Sequence, residues 1–358
     1  MFTERTSVGL DVHARSVVAA AIDTVTGKTV TARLVPAPAE VVAWVQQLTG
    51  PVAVTYEAGP TGYGLARTFA AAGVRCEVAA PSKIVRPAGD RVKTDAKDAR
   101  LLARLLRMDE IVPVRVPSIS EEAARDLVRA REDARIDLMA SRHRLSKLLL
   151  RHGQVYSGGS PWGPDHERWL RAIRFDQYGT QAAFDTCWED VIFTAARRAQ
   201  LDQQIEAMAA ASEFTQVTNR LCCLRGIATL TGFGLAVEIA DWTRFDARSI
   251  GAFLGLAPGE ASSGDKRVLT AITKAGNSHA RRLLVEAAWH HKPSYRPGNT
   301  MLRRWNNAPG PVVAKAHQAN KRLHQRWLDF DTRHKRPVIA NVAIARELAG
   351  WCHTLATM

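Results

Sequence analysis

Asp11 stands between Leu10 and Val12 in an otherwise apolar stretch, where an unpaired carboxylate is costly to bury and something must compensate it. Glu57 closes a second apolar run, VAVTYE. Asp95 and Asp98 lie three apart in TDAKDARLLARLLRM, so one helix would carry both on the same face. Taken singly, each has a bland account as a salt-bridged or solvated strand acid, or as a first-turn acid meeting the helix macrodipole. Together, two strand carboxylates and an i, i+3 pair can converge at the open end of a sheet. There they would offer the carboxylate oxygens that magnesium binds while keeping some of its waters. Two such ions about 4 Å apart can activate an attacking oxygen and neutralise a leaving one, so the chemistry expected of this set is metal-dependent cleavage of phosphodiesters.

A second candidate lies far along the chain, in AFLGLAPGEASSGDKRVLTAITKAGNSHARRLL. Ser262 and Ser263 occupy a glycine-flanked loop, and Lys266, Arg267, Lys274, Arg281 and Arg282 follow. A serine there could attack a phosphodiester if its hydroxyl were activated and those cations held the phosphate. A Ser-Ser-Gly loop more often only turns the chain, so its chemistry alone nominates neither serine. LCCLRGIATLTGFGLAVEIA reads as two short helices about Gly226. They form either a helix-hairpin-helix, whose backbone N–H groups hold a phosphate, or a plain helical hairpin. Trp289, Trp305 and Trp327 sit among basic residues and could stack on bases, although core packing is the commoner fate of such residues.

The elements that would position these residues follow from the pattern. Residues 7–23 and TARLVP read as strands about a turn at Gly27, AEVVAWVQQLTG as a helix and PVAVTYEAG as a strand; a helix over 63–72, the strand VRCEVAAP and a closing helix after Thr94 follow. Three strands followed by alternating helix and strand is an α/β order of the RNase H type. Charged, periodic sequence over 118–152, with a partner around 184–211, predicts a long helical pair of hairpin or coiled-coil kind, with YSGGSPWGPDHERWL between them as a loop or insertion. The expected division is 1–115 for the acidic α/β domain, 116–215 for the helical linker and 216–358 for a mostly helical C-terminal domain.

Composition narrows the class. The chain has 358 residues, 46% hydrophobic and 23% charged, which places it with soluble globular proteins of two or three domains. Its net charge of +14 favours polyanionic partners, above all nucleic acid. Between Asp265 and Arg336 there are 16 Lys and Arg against four acids, so the excess is regional. Five cysteines without a CxxC spacing point to neither a disulfide framework nor a zinc site. With no signal-peptide pattern in MFTERTSVGL and no long apolar run, a cytoplasmic protein without a membrane span is expected.

GLDVHARS, YEAGPTGYG, PSKIVRPAGDRVKTDAKDARLLARLL, RGIATLTGFGLAVEIADWTRF, AFLGLAPGEASSG and ITKAGNSHARRLLVEAA, in this order, resemble the DEDD transposases of bacterial insertion sequences, relatives of the Piv DNA invertases. That resemblance implies a RuvC-like N-terminal domain whose Asp11, Glu57, Asp95 and Asp98 bind Mg2+, followed by a coiled-coil linker and a C-terminal transposase domain. It implies Ser263 as a nucleophile that forms a phosphoserine link to DNA. It also implies a structured bridge RNA pairing with donor and target DNA, a dimer or tetramer that completes its active sites in trans, and work at the bacterial nucleoid. Ser262 stands where a glutamate is common in the family, which leaves the choice between the two serines open, although Ser263, directly before Gly264, matches better. Arg225 and Ala228 replace a more usual Pro and Gly in the hairpin, and WGPDHERWL looks like an insertion found in part of the family. Two other readings carry their own tests. A structure-selective nuclease of the same fold would cut with water and need no serine. A sugar-kinase or actin-like ATPase would share the GLDVHARS loop but needs a second phosphate loop, which is missing.

Overall fold

β-Branched and small apolar residues at period two make the first strands, β1 (Thr6–Val12) and β2 (Val17–Asp23), each buried along its first five residues. Asp23 accepts hydrogen bonds from the Val25 and Thr26 N–H groups at 2.9 Å, and Gly27 takes φ +72°, so the chain reverses into β3 (Thr29–Leu34). The helices α1 (Pro38–Gln46) and α2 (Gly64–Ala71) flank β4 (Val52–Glu57), and β5 (Arg75–Ala79) completes a five-stranded sheet of order β3-β2-β1-β4-β5. The β1–β2 and β2–β3 pairs are antiparallel, and the β1–β4 and β4–β5 pairs parallel. One face packs Val8, Leu10, Val54 and Tyr56 against Val41, Val45, Leu65 and Phe69 of α1 and α2. The helix α3 (Asp95–Arg107) covers the other face, where Ala99 meets Val18 and Ala20.

The computed structural model describes residues 4–85, 94–262 and 268–358. It divides into two compact units, Met1–Ser118 and Ile119–Met358: a mixed α/β unit and a mostly helical one. In the second, α4 (Ile119–Arg151) and α6 (Tyr178–Ala210) run antiparallel, as the pairs Ser120–Glu213, Arg131–Asp202, Asp137–Arg197 and Arg144–Asp190 show. Part of the segment expected to be a loop is instead a short helix, α5 (Pro164–Ala172). Pro164 opens it, Asp165 and Glu167 suit its first turn, and His166 and Leu170 are buried on its inner face.

Beyond α6 come α7 (Thr215–Leu221), α8 (Thr229–Ile239) and α9 (Ser249–Phe253), then the two-stranded β6 (Pro258–Glu260) and β7 (Leu269–Ile272). The chain ends in α10 (Ser278–Ala288), α11 (Asn299–Trp305), α12 (Gly310–Thr332) and α13 (Pro337–Ala356). Residues on both sides of the expected 215/216 boundary share one cluster, formed by Ala124 and Val128 of α4, Ile205 and Ala209 of α6 and Phe233, Ala236 and Val237 of α8. Trp327 is fully buried in the main C-terminal core, Trp305 packs on that core, and Trp289 is 39% exposed. Among the described residues no helix is long and apolar enough to cross a membrane.

Candidate active site

The acids are positioned by two strands and one helix. β1 and β4 pair from Thr6↔Val52 to Leu10↔Tyr56, so Asp11 and Glu57 each stand one residue beyond the last couple, at the carboxyl end of the sheet. Side chains alternate along a strand. Since Leu10 and Tyr56 enter the core beneath α1 and α2, Gly9, Asp11 and Glu57 belong to the α3 side. Thr94 caps α3 by accepting a hydrogen bond from the Lys97 N–H at 3.4 Å, and Asp95 and Asp98 occupy its first turn.

Gly9 sets the distance between helix and strand. A Cβ there would collide with the Ala99 carbonyl oxygen and the Ala103 nitrogen and lie 2.8 Å from Leu102 Cβ. The backbone of α3 therefore rests directly on β1, with its first turn beside Asp11.

His13 joins the two elements. Its Nε2 lies 3.1 Å from Asp11 Oδ2 and 3.8 Å from Asp95 Oδ1, and one ligand atom from each of the three residues lies within 4.8 Å of the others. Burial pushes the Asp11 carboxyl above its ordinary range, His13 pulls it back by its charge and hydrogen bond, and Asp95 and Asp98 push it up again. Carboxylates that converge in this way are a set of hard oxygen donors whose mutual repulsion a divalent cation relieves, so the residues fit such an ion. Asp98 contributes to the field at Asp11, and Glu57 is exposed at the end of the neighbouring strand; both lie outside the compact group. His13 was not among the residues the sequence singled out. Its spacing from Asp11 was the available signal, because i and i+2 share a face in extended chain. Beside Asp95, an open groove of about 570 Å³ is lined by Val18, Thr31, Arg33 and Thr94.

The serine region is built on the β6–β7 hairpin. Ser263, Lys266 and Arg267 lie outside the described residues. Ser262 Oγ donates to Glu260 Oε1 at 2.7 Å and accepts from the Val268 N–H at 3.3 Å, so its hydroxyl ties the two strands together. Lys274 is exposed at φ +55°, and its N–H donates to the Gly255 carbonyl. Arg281 donates to the Leu254 and Ala275 carbonyls at 3.0 and 2.9 Å, bracing the turn beneath the hairpin. Arg282 donates to Glu132 of α4 and to Glu286. Nearby, the buried Glu238 of α8 accepts from Arg129, Asn277 and His279, which links α8 to α4 and α10.

In the 224–229 hairpin, Gly226 takes φ +83° and a Cβ there would strike the Ala287 carbonyl, so this turn is packed against α10. Arg225 donates to the Pro293 and Ser294 carbonyls, and Arg304 to that of Ile227.

Two family models match. The one described as Transposase IS116/IS110/IS902 family covers residues 218–301, and a DEDD transposase model of the IS110 type covers residues 8–153. A protein of Sinorhizobium fredii carrying a transposase name, y4qE, is 39% identical over 302 residues, 84% of this chain and 74% of that one. The transposase for insertion sequence element IS1533 of Leptospira borgpetersenii is 31% identical over 289 residues, 78% of this chain and 82% of that one.

Proposed function

This chain belongs to the transposase family of the IS110 type of insertion sequences, an enzyme family acting on DNA, and from that premise we propose how its residues divide the reaction. The first unit is a RuvC-like domain, and Asp11 and Asp95, with Glu57 and Asp98, hold Mg2+ at the carboxyl end of the sheet. When bound there, magnesium supplies Lewis-acid stabilisation of the scissile phosphate and of the oxygens entering and leaving it. The observation that carries this reading is the approach of Asp11 and Asp95, at the shared His13, where α3 lies on Gly9. His13 orients the Asp11 carboxylate by donating from Nε2. The groove beside Asp95, with Arg33 on its wall, gives the DNA backbone its approach.

Ser263 is the nucleophile. Its Oγ gives up its proton and forms a bond to phosphorus, the bond from phosphorus to the leaving sugar oxygen breaks, and that oxygen takes up a proton, so the proton count is unchanged. The two hydrogen bonds of Ser262 within the hairpin favour its neighbour for this role. Lys266, Arg267 and Lys274 neutralise the phosphate, and Arg281 and Arg282 support them from behind through their bonds to the turn and to α4. The antiparallel α4–α6 pair serves as the coiled-coil linker. A structured bridge RNA pairs with donor and target DNA and supplies the choice of site. The chain works as a dimer or tetramer at the bacterial nucleoid.

Incubating the full chain and its co-purified RNA with element-end DNA and Mg2+ tests this reading. The expected product is a covalent protein–DNA adduct on a denaturing gel, mapped as phosphoserine at Ser263 and missing from Ser263→Ala. Normal strand cleavage by Ser263→Ala, with no adduct from either protein, would mean a nuclease that uses water.

A further inference from the structure

The insertion between α4 and α6 builds a feature to which the strand-exchange chemistry gives no part. Tyr156, Trp162 and Trp169 gather around His166, with ring centroids 4.6, 5.0 and 5.4 Å from the imidazole. Trp162 is held at φ +66°, a conformation a bulky residue rarely adopts, and its N–H donates to His166 Nδ1 at 3.0 Å. Beside this group lies a cavity of about 170 Å³ lined by Arg142, Trp162, His166, Leu170, Trp188 and Val191. Sites for drug-sized ligands run to roughly 300–1,000 Å³, so this one has room for a single ring system.

Arg142 gives the cavity its charge. Its guanidinium lies 4.8 Å from the centre of the Trp162 ring, and its Nε is buried without an acceptor. Elsewhere on the same helix pair, Arg131, Arg144 and Arg197 each face a carboxylate across the interface. No carboxylate pairs with Arg142 among the described residues; its charged neighbour is another cation, Arg198. Glu167, at the rim, is engaged by Arg171 at 2.7 Å.

An aromatic slot with one uncompensated guanidinium calls for a flat partner rich in acceptors and carrying negative charge. We infer that this cavity receives a single unstacked nucleobase of a bound strand, which stacks on Trp162 and Trp188 and presents its carbonyl edge or phosphate to Arg142. Such stacking tolerates any base, because every base has a π face. The base belongs either to DNA or to RNA, and the two sources are separable by experiment. This inference rests on nucleic-acid binding by the chain and not on the serine chemistry, and its test reads binding, so the two fail independently.

Single-stranded DNA and RNA oligonucleotides of about 15 residues, a length in the range such sites span, are substituted with 5-iodouracil, bound to the full chain and irradiated. The adduct is then mapped by mass spectrometry. The expected adduct is on Trp162 or Trp188, and whether the DNA or the RNA forms it identifies the source. Trp188→Ala weakens binding of that oligonucleotide about 5- to 150-fold, the range for one lost base stack. Arg142→Gln weakens it too while leaving the melting temperature unchanged or higher, because Arg142 has no carboxylate to lose. Adducts on neither tryptophan, although the chain binds both oligonucleotides, would overturn the inference. So would an Arg142→Gln protein that melts lower but binds as tightly as before, since Arg142 would then only pack on Trp162.

Discussion

At the residue scale, the acidic centre depends on how three side chains share charge. Asp11 is held above its ordinary range first by burial and then by two acids of α3, with His13 opposing them. Asp95→Asn removes an oxygen donor and is expected to cut strand cleavage to background in a gel assay. His13→Ala leaves both carboxylates in place but takes away the group that orients Asp11. Losses of that kind cost roughly 10–100-fold in metal affinity, so a Mg2+ titration of cleavage should shift to higher concentration and recover activity at saturation. An unchanged titration would mean that His13 is a bystander. Asp11 was legible in the sequence because a carboxylate in an apolar strand demands a partner. His13 was not, because a polar residue at a strand end needs no explanation.

At the element scale, α3 and Gly9 decide whether the centre forms at all. Gly9→Ala places a methyl group against the helix backbone, and overpacking of this kind costs typically ~1–3 kcal/mol. The expected outcome is a lower melting temperature together with loss of cleavage greater than the unfolded fraction explains, since α3 must move away with Asp95. Wild-type cleavage by a stably folded Gly9→Ala protein would count against the arrangement. A second fixed point is Glu238, where burial pushes the carboxyl up and hydrogen bonds from His279, Arg129 and Asn277, with the Arg129 charge, bring it down to about 2. Because the folded value lies below the ordinary 4.5, its contribution is fully present above pH 4.5 and is lost as pH falls toward 2. Glu238→Gln should therefore be less stable at neutral pH, and its stability should depend less on acid between pH 4.5 and 2. Parallel acid unfolding curves for the two proteins would contradict this. Periodicity located the strands of the first sheet, α3 and the two long helices, but not the short β6 and β7, whose surrounding glycines and serines read as a loop. It missed α5, because Gly, Ser and Pro around Trp162 read as loop, while the burial of His166 and Leu170 that stabilises the helix depends on distant residues.

At the scale of the whole molecule, charge is the property most directly readable from composition. The basic excess between Asp265 and Arg336 is expected to make DNA binding strongly dependent on salt. Neutralising only about four phosphates would lower affinity roughly 100-fold between ~50 and ~200 mM KCl, and filter binding at several salt concentrations checks it. A flat dependence would remove the electrostatic account of the second unit. Charge does not say which cations face DNA, however. Arg281 and Arg282 stand in the basic run, yet both are held by carbonyls or carboxylates of the protein, and only tertiary contacts could show it.

In the proposed division of the reaction, DNA strand cleavage by this transposase runs through the acidic centre on β1 and α3. The most direct test compares wild type with Asp11→Asn for cleavage of element-end DNA in Mg2+, after thermal melting and RNA content have shown both proteins to be equally folded and loaded. The wild type is expected to cleave, and Asp11→Asn to show no cleavage above background. Cleavage by Asp11→Asn at the wild-type rate would contradict it.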